Sequence, residues 1–242
     1  ETRLFFAQFN RIEGQSDTVI QARLASRPAT VTLRKMLVEF TEEELADLAV
    51  AVPDPVAEVT AGIVKELALE LNFECLNGLL AACPVITKER PLDPVAHLRD
   101  AGEATLFQQC HGDTTHVFLG AGAFQRLGDA GRGDVFVSSS RPLAPAVIDR
   151  FPGVQRLPYV LRAMPDVDLF LVSAWHDTHP TTALLLRARP HELLAPVAWA
   201  PYVFATTTTA TPGLLGQRLT IRDVLEVVEP RLAVRLDLGG SE

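Results

Sequence analysis

The feature that most constrains this chain is one long amphipathic helix, which the sequence predicts over about residues 54–83. Apolar side chains recur there at every fourth position, close to the helical period. These residues are Val59, Ile63, Leu67, Leu71, Cys75 and Leu79. Asp54 can cap the first turn with Pro55 at the first helical position, and Pro84 ends the run. A helix of about 28 residues is roughly 40 Å long, so we expect an elongated molecule with this helix as its rigid axis.

The composition predicts a folded, acidic chain. Hydrophobic residues make up 48% of the 242 residues, enough for a large core. With 22 basic and 30 acidic residues, the net charge of −8 would repel a phosphate backbone, which disfavours a sequence-reading nucleic-acid module. The cysteines Cys75, Cys83 and Cys110 are odd in number and form no CxxC. They encode neither a disulfide framework nor a zinc knuckle, and a reducing compartment is expected.

Neither a membrane span nor a secretory signal is predicted. No apolar run approaches the ~20 residues that cross a bilayer, and the first residues lack the charge pattern of a signal peptide. The chain begins at Glu1, which is expected either for a processed protein or for part of a longer chain.

The first forty residues have the composition of extended chain. Strands are predicted over Phe5–Phe9, Thr18–Leu24 and Thr30–Phe40, with a turn between the last two. An isolated hairpin is only marginally stable in water. We therefore expect this arm either to rest on another surface or to fold back on its own domain as an edge hairpin.

Helices and mixed structure follow the arm. Thr41 and Glu44 form a capping box, which predicts a short helix to about Ala49 before the long helix begins. Between Thr87 and Asp113 the sequence predicts a short helix over Asp93–Asp100 and loop elsewhere.

From Thr115 onward, short strands alternate with short helices, which indicates a mixed α/β domain. The predicted strands are His116–Leu119, Val135–Val137, Asp168–Val172 and Ala183–Arg189. The predicted helices are Gly120–Leu127 and Pro142–Arg150. Three further apolar segments close the chain: Val197–Ala205, leading into a threonine run, Arg218–Val228, and Arg231–Leu238, whose alternation suits an antiparallel strand.

Two local patterns and the order of the elements resemble the major capsid proteins of tailed bacteriophages, whose fold is shared with encapsulins. The segment Glu66–Leu80 is similar to the amino-acid sequence of their long "spine" helix, and Ala200–Val203 is similar to a segment near the end of the same proteins. The resemblance implies an α+β fold in four parts. These are residues 1–40 as N-terminal arm and extended E-loop, 41–114 as peripheral domain with the spine helix, 115–196 as axial-type α/β domain, and 197–242 as a C-terminal segment returning to the peripheral domain.

The resemblance also implies a function. A protein of this family is a structural subunit that assembles with copies of itself into hexamers and pentamers. These rings close an icosahedral shell around double-stranded DNA. Portal, scaffolding and decoration proteins are the further partners it implies, and the virion, assembled in the host cytoplasm, is the implied location. An encapsulin-type protein compartment is the alternative. Some relatives join an E-loop lysine to a neighbouring subunit; Lys35 lies near the base of the loop, so this cross-link is not predicted.

Two histidine-rich clusters are the best argument for an enzyme: Cys110–His116 and Trp175–His179. They hold the potential metal ligands His111, Asp113, His116, His176, Asp177 and His179. Neither has a spacing such as HExxH, and both fall in predicted turns, where these residue types bind local backbone. We therefore predict no catalytic, cofactor or metal site, and a metal-dependent hydrolase remains the rival hypothesis. Trp175, Trp199 and Tyr202 are interpreted as core or interface residues rather than as a ligand-stacking surface.

Overall fold

The computed structural model of the chain describes residues 30–86, 93–130, 135–139, 153–188 and 195–239. The predicted strands Phe5–Phe9 and Thr18–Leu24 and the predicted helix Pro142–Arg150 lie outside the described residues. Within the described residues, the chain forms a three-stranded sheet and a six-stranded sheet that are joined by one long helix, which confirms the predicted α+β class.

The chain enters the described structure through strand β1, Thr32–Thr41, and the helices α1, Glu42–Ala51, and α2, Pro55–Ala82. Both predicted caps are present. The amide of Glu44 donates to Thr41 Oγ1 at 3.2 Å, and the amide of Thr41 donates to Glu44 Oε2 at 2.8 Å. Asp54 Oδ1 accepts from the amide of Ala57 at 3.0 Å. The long helix therefore has its predicted start and its predicted length of 28 residues.

The three-stranded sheet is antiparallel, with the order β1, β10, β9. Strand β9 is Val197–Thr211 and β10 is Leu214–Val227, so the threonine run continues β9 rather than ending it. The two-residue turn between them contains Gly213 at φ +82°, a backbone conformation that favours glycine. Helix α2 covers one face of this sheet, where Ile63 and Leu67 pack against Leu219 and Ile221.

The six-stranded sheet is mixed, with the order β2, β11, β8, β3, β7, β5. The bounds of its strands are Val85–Ile86 (β2), His116–Leu119 (β3), Val154–Arg156 (β5), Asp168–Val172 (β7), Thr182–Leu186 (β8) and Ala233–Asp237 (β11). Helix α5, Ala121–Ala130, follows β3; α6, Trp175–Thr178, precedes β8; and a 3-10 turn, Pro230–Leu232, precedes β11. A separate pair joins β4, Phe136–Ser138, to β6, Tyr159–Leu161. The strand predictions in this half of the chain are confirmed, with ends that shift by a few residues.

The C-terminal half of α2 packs on this second sheet. Leu76, Leu79 and Leu80 share a core with Val172 and Leu184 of the sheet. The same helix therefore contributes to both cores, so the two sheets are held in one frame by a single rigid element.

One prediction was wrong: most of the segment after Asp100 is helical, not loop. The chain there forms a short helix α3, Pro94–Ala96, a π-helix over His97–Glu103, and α4, Ala104–Cys110. Leu98 and Leu106 are fully buried in the core of the six-stranded sheet. A π-helix is rare and has wider turns than an α-helix, so sequence analysis based on the 3.6-residue period does not predict it.

Candidate assembly surface

The two histidine clusters lie at opposite ends of β3. The amide of Thr115, before the strand, bonds to Leu186 at 2.9 Å, whereas the amide of Gly120, after it, bonds to Thr182 at 2.9 Å, beside the second cluster. A four-residue strand separates its ends by about 10 Å. Among the described residues, no group of three or more His, Cys, Asp or Glu side chains has a metal-binding arrangement.

The side chains of the first cluster have local contacts. His111 ends α4 in the left-handed conformation, at φ +52°. His116 Nδ1 lies 2.7 Å from Thr115 Oγ1, and its ring packs against Phe170 with centroids 5.6 Å apart. The thiol of Cys110 donates to the carbonyl of Leu106 at 3.1 Å. The contacts are local, but Cys110 ends α4 and His116 begins β3, so only the residues between them lie in the predicted turn.

The second cluster lies around α6. His176 Nδ1 and Asp177 Oδ1 are 2.8 Å apart, and both side chains are almost fully exposed. His179 packs edge-on against Trp175, with ring centroids 6.3 Å apart. Burial, and to a smaller extent the charge of Arg235, lowers the pKa of His179. Both effects favour the neutral imidazole of His179.

Two residues of the first cluster also line a cleft of about 670 Å³ beside the six-stranded sheet. Asp113 and His116 contribute to its wall with Glu103 and Asp168. Burial, followed by the charge of Asp113, raises the pKa of Glu103. Arg156 Nη2 contacts Asp168 Oδ1 at 2.7 Å, so that carboxylate is already paired.

Trp175 is a core residue, one of the two roles that the sequence analysis gave it. It is fully buried, and its indole Nε1 donates to Asn77 Oδ1 of α2 at 3.2 Å. Trp199 and Tyr202 instead lie on the surface, with 50% and 56% of their area exposed. Phe204, which sequence analysis did not single out, is 60% exposed on the same strand.

We call Trp199, Tyr202 and Phe204 the aromatic edge of β9. In the described part of the chain, β9 is bonded to β10 on one side and to no strand on the other. Its 15 residues include no charged side chain. Exposed edge strands in soluble proteins are ordinarily protected by charges, bulges or a cover. The β9 edge is thus long, uncharged and aromatic.

The opposite edge of the sheet has a different composition. Strand β1 carries the charged residues Lys35 and Glu39 at exposed positions, besides the largely buried Arg34. Leu33 and Leu37 are about half exposed there, but charges interrupt their row. The two edges thus differ in exposed chemistry: the β9 edge has no charges, although Pro201 and the register shift next to it interrupt the strand.

A buried ion network fixes the sheet to the helix beside the aromatic edge. The carboxylate of Asp223, on β10, is fully buried and accepts from Arg34 Nε at 3.2 Å and from Trp199 Nε1 at 2.8 Å. The guanidinium of Arg34 also contacts Glu70 at 3.2 Å and Glu74 at 2.6 Å on α2. The network therefore connects all three strands and the long helix.

Arg34 is the cation of this network. Burial of the Arg34 guanidinium acts to lower its pKa, but hydrogen bonds and charges from Glu74 and Asp223 outweigh burial and leave the pKa raised. Arg34 therefore stays charged at neutral pH. The indole of Trp199 is consequently held in one orientation at the start of the aromatic edge.

Comparison with solved structures identifies the fold. The chain is similar to the capsid of Myoviridae phage XM1, at 13% identity, 93% coverage of this chain, 80% of that chain and a TM-score of 0.51. It is similar to a phage-related protein from Bordetella bronchiseptica at 10% identity, with coverages of 96% and 81% and a TM-score of 0.59. For a structure from Gordonia phage Cozz the identity is 10%, the coverages 99% and 80%, and the TM-score 0.58. The chain thus has the fold of phage capsid proteins.

The sequence matches no protein-family model and no curated protein. The likeness is therefore one of architecture. Among the described residues, no helix has both the length and the apolar character needed to cross a bilayer.

Proposed function

We propose that this chain is the shell subunit of a tailed-phage capsid, which assembles with copies of itself into hexamers and pentamers around double-stranded DNA. The observation that supports the proposal best is the long helix shared between two sheets, in a fold that matches a phage capsid over 93% of this chain. A structural role, without catalysis or a cofactor, accompanies the proposal.

The physical properties of the chain suit shell assembly. A closed shell needs subunits that keep their shape while each makes several heterologous contacts with its neighbours. Helix α2 and its buried ion network provide that rigidity. Each contact can be weak, because many contacts act together once a ring has begun to form.

The four parts of the chain take their proposed roles as follows. Residues 1–40 form the arm and E-loop, 41–114 the peripheral domain, 115–196 the axial-type domain, and 197–242 the segment that returns to the peripheral domain. In the C-terminal segment, β9 and β10 form the three-stranded sheet with β1. The last strand, β11, instead joins the six-stranded sheet, and α4 of the peripheral part packs on that sheet as well. The last strand and α4 therefore connect the two proposed domains.

The proposed partners follow from the same role. Copies of the chain are the first partner, and portal, scaffolding and decoration proteins are the others. The net charge of −8 is compatible with enclosed DNA that the shell holds without sequence-specific binding. The proposed location is the virion, after assembly in the host cytoplasm.

Sedimentation of the purified protein, with and without nuclease, tests this function. A fast-sedimenting particle whose DNA survives nuclease is expected from infected or lysogenic cells. Particles that hold protein cargo and no DNA would support the compartment alternative. A slow-sedimenting monomer or dimer at high concentration would contradict both kinds of shell.

A deletion tests the arm separately. Removal of Phe5–Leu24 should leave the folded core intact, because the two sheets and α2 lie outside this segment. The expected result is a subunit with normal circular dichroism that forms no particles. Normal shells from the deleted chain would show that the arm is not needed for assembly.

A further inference from the structure

We propose that the cleft beside the six-stranded sheet binds one hard divalent cation of the calcium type, held by the carboxylates of Glu103 and Asp113 and by the hydroxyl of Thr114. The site lies within one chain, so the inference goes beyond the proposed function and does not depend on it. Sequence analysis placed Asp113 in a histidine cluster and predicted no metal site. It did not include Glu103, which belongs to a different element.

The cleft brings together oxygen atoms from separate elements. Its volume is about 670 Å³, and its wall includes Glu103, at the end of the π-helix, with Asp113 and Thr114, in the segment before β3. Residues 163–168, which lead into β7, contribute further wall. A cleft of this size has room for an ion together with several of its water molecules.

The hydroxyl of Thr114 is the observation that points to a ligand. Thr114 is only 4% exposed, it lines the cleft, and its Oγ1 has no hydrogen-bond partner among the described residues. Buried polar atoms in folded proteins ordinarily have a partner, because an unsatisfied one is costly. The hydroxyl of the next residue, Thr115, shows the contrast, since it accepts from the amide of Ala188 at 2.8 Å. A bound cation would be the missing partner, because a threonine hydroxyl can coordinate hard metal ions.

Glu103 and Asp113 are close enough to repel each other. Burial is the larger cause that raises the pKa of Glu103, and the negative charge of Asp113 raises it further, whereas the charge of Arg99 lowers it. Like charges that share a site disfavour each other's ionised form. A cation between the two carboxylates would remove this repulsion, so ion binding and the ionised form of Glu103 support each other.

The ligand set selects the kind of ion. All three groups bind through oxygen, which suits calcium or magnesium better than zinc, and calcium tolerates the less regular geometry. The imidazole in the cleft, His116, lies 2.7 Å from Thr115 Oγ1, and Asp168 is paired with Arg156. Neither His116 nor Asp168 is therefore counted as a ligand. A site of two carboxylates and one hydroxyl also differs from a group of three or more His, Cys, Asp or Glu, which the described residues lack.

Arg187 limits the expected affinity. Its guanidinium packs against Gly112, next in sequence to Asp113, at a position where a Cβ would collide with it. The positive charge of Arg187 opposes a bound cation. With two carboxylates and this neighbour, we expect a Kd of about 10⁻⁴–10⁻³ M, at the weak end of protein calcium sites.

Calorimetric titration of the unassembled full-length chain with CaCl₂ tests the site, in about 0.15 M NaCl to screen surface charge. We expect one ion per chain. Glu103→Gln and Asp113→Asn keep the shape of each side chain and should each weaken binding by about tenfold or more. Asp177→Asn is the matched control, because Asp177 is an exposed carboxylate outside the cleft. It should change the affinity by less than about twofold.

Three results of this titration would overturn the proposal. The first is no binding up to about 10 mM CaCl₂. The second is binding that survives both Glu103→Gln and Asp113→Asn, which would place the ion elsewhere. The third is a loss with Asp177→Asn as large as with the cleft variants, which would mean that calcium responds to net charge alone.

The hydroxyl of Thr114 gives an independent readout. Thr114→Val keeps the shape of the side chain and removes its unpartnered oxygen, so without calcium it should unfold about 2–4 °C above the parent chain. With saturating calcium the parent should have the higher midpoint, because only the parent keeps the third ligand. The same order of midpoints in both buffers would overturn the role of Thr114.

This inference and the proposed function fail separately. A chain that builds shells and binds no calcium would refute the cation site alone. A chain that binds calcium in the cleft and never assembles would refute the shell and leave the site standing.

Discussion

Replacement of Asp223 by alanine should be among the most damaging single changes to the folded subunit. The carboxylate is fully buried and accepts hydrogen bonds from Arg34, at 3.2 Å, and from Trp199, at 2.8 Å. Arg34 itself has only 8% of its side chain exposed. The variant would therefore remove the carboxylate that accepts from the largely buried guanidinium of Arg34 and from the indole N–H of Trp199.

The size of the effect follows from the burial of the pair. Removing one partner of a buried ion pair costs about 3–5 kcal/mol, and the lost indole hydrogen bond contributes about 1 kcal/mol. Glu70 and Glu74 recover part of this, because they also contact Arg34, but their side chains are 60% and 47% exposed and are screened by water. We expect Asp223→Ala to lower the free energy of unfolding by about 3–5 kcal/mol, a large share of the stability of a domain.

Urea unfolding of the unassembled subunit, followed by circular dichroism, measures this loss. Glu70→Gln is the matched control, because it removes a carboxylate from the same network at an exposed position, and it should cost less than about 1 kcal/mol. The double variant Arg34→Met with Asp223→Leu should be more stable than Asp223→Ala, since no charge is left buried. An Asp223→Ala variant within 1 kcal/mol of the parent protein would refute the reasoning.

Three further predictions concern glycines, thiols and metal. Gly62→Ala, at an open position of α2, should raise the free energy of unfolding by about 0.5–1 kcal/mol. Gly120→Ala should lower it by about 1–3 kcal/mol or more, because the new Cβ would collide with the carbonyl oxygen of His179. Thermal unfolding compares the two variants, and equal midpoints would contradict the described packing. Burial raises the pKa values of Cys75 and Cys83 to about 11, so neither is a thiolate at pH 8. These two thiols should react with a disulfide reagent far more slowly in the native chain than in the urea-unfolded chain, and the native rate should rise toward pH 11. Fast labelling of either thiol in the native chain would contradict this. Equilibrium dialysis should find no stoichiometric zinc, because the two histidine clusters lie at opposite ends of β3; one tightly held zinc per chain would revive the hydrolase hypothesis.

The long helix was predictable because its signals are local and agree. Asp54 and Pro55 mark its start, the apolar positions keep one period, and Pro84 prevents its continuation. Strands β3 and β7 were predictable for a similar reason, since each is a short, mainly apolar run with no exposed residue.

The elements that sequence analysis missed depend on distant or irregular structure. Arg34 and Asp223 are 189 positions apart, so nothing local indicates that they pair. The π-helix over His97–Glu103 is a rare element that the helical period does not predict, although Leu98 within it is buried. The pairing of β1 with β10 is equally remote in sequence.

The aromatic edge was partly visible in the sequence. Trp199 and Tyr202 were interpreted as core or interface residues, and β9 reads as 15 residues without a charge. Sequence alone does not show that β9 lies at the edge of its sheet, because that depends on which strands pair. Only the fold therefore separates these two aromatics from Trp175, which is fully buried.

Cryo-electron microscopy of the assembled full-length protein tests the central claim most directly. The account predicts closed icosahedral particles with rings of five and six subunits, each built on one long helix. Reconstructions of a monomer or of a small closed oligomer, from protein at concentrations that favour assembly, would contradict the claim that this chain builds a shell.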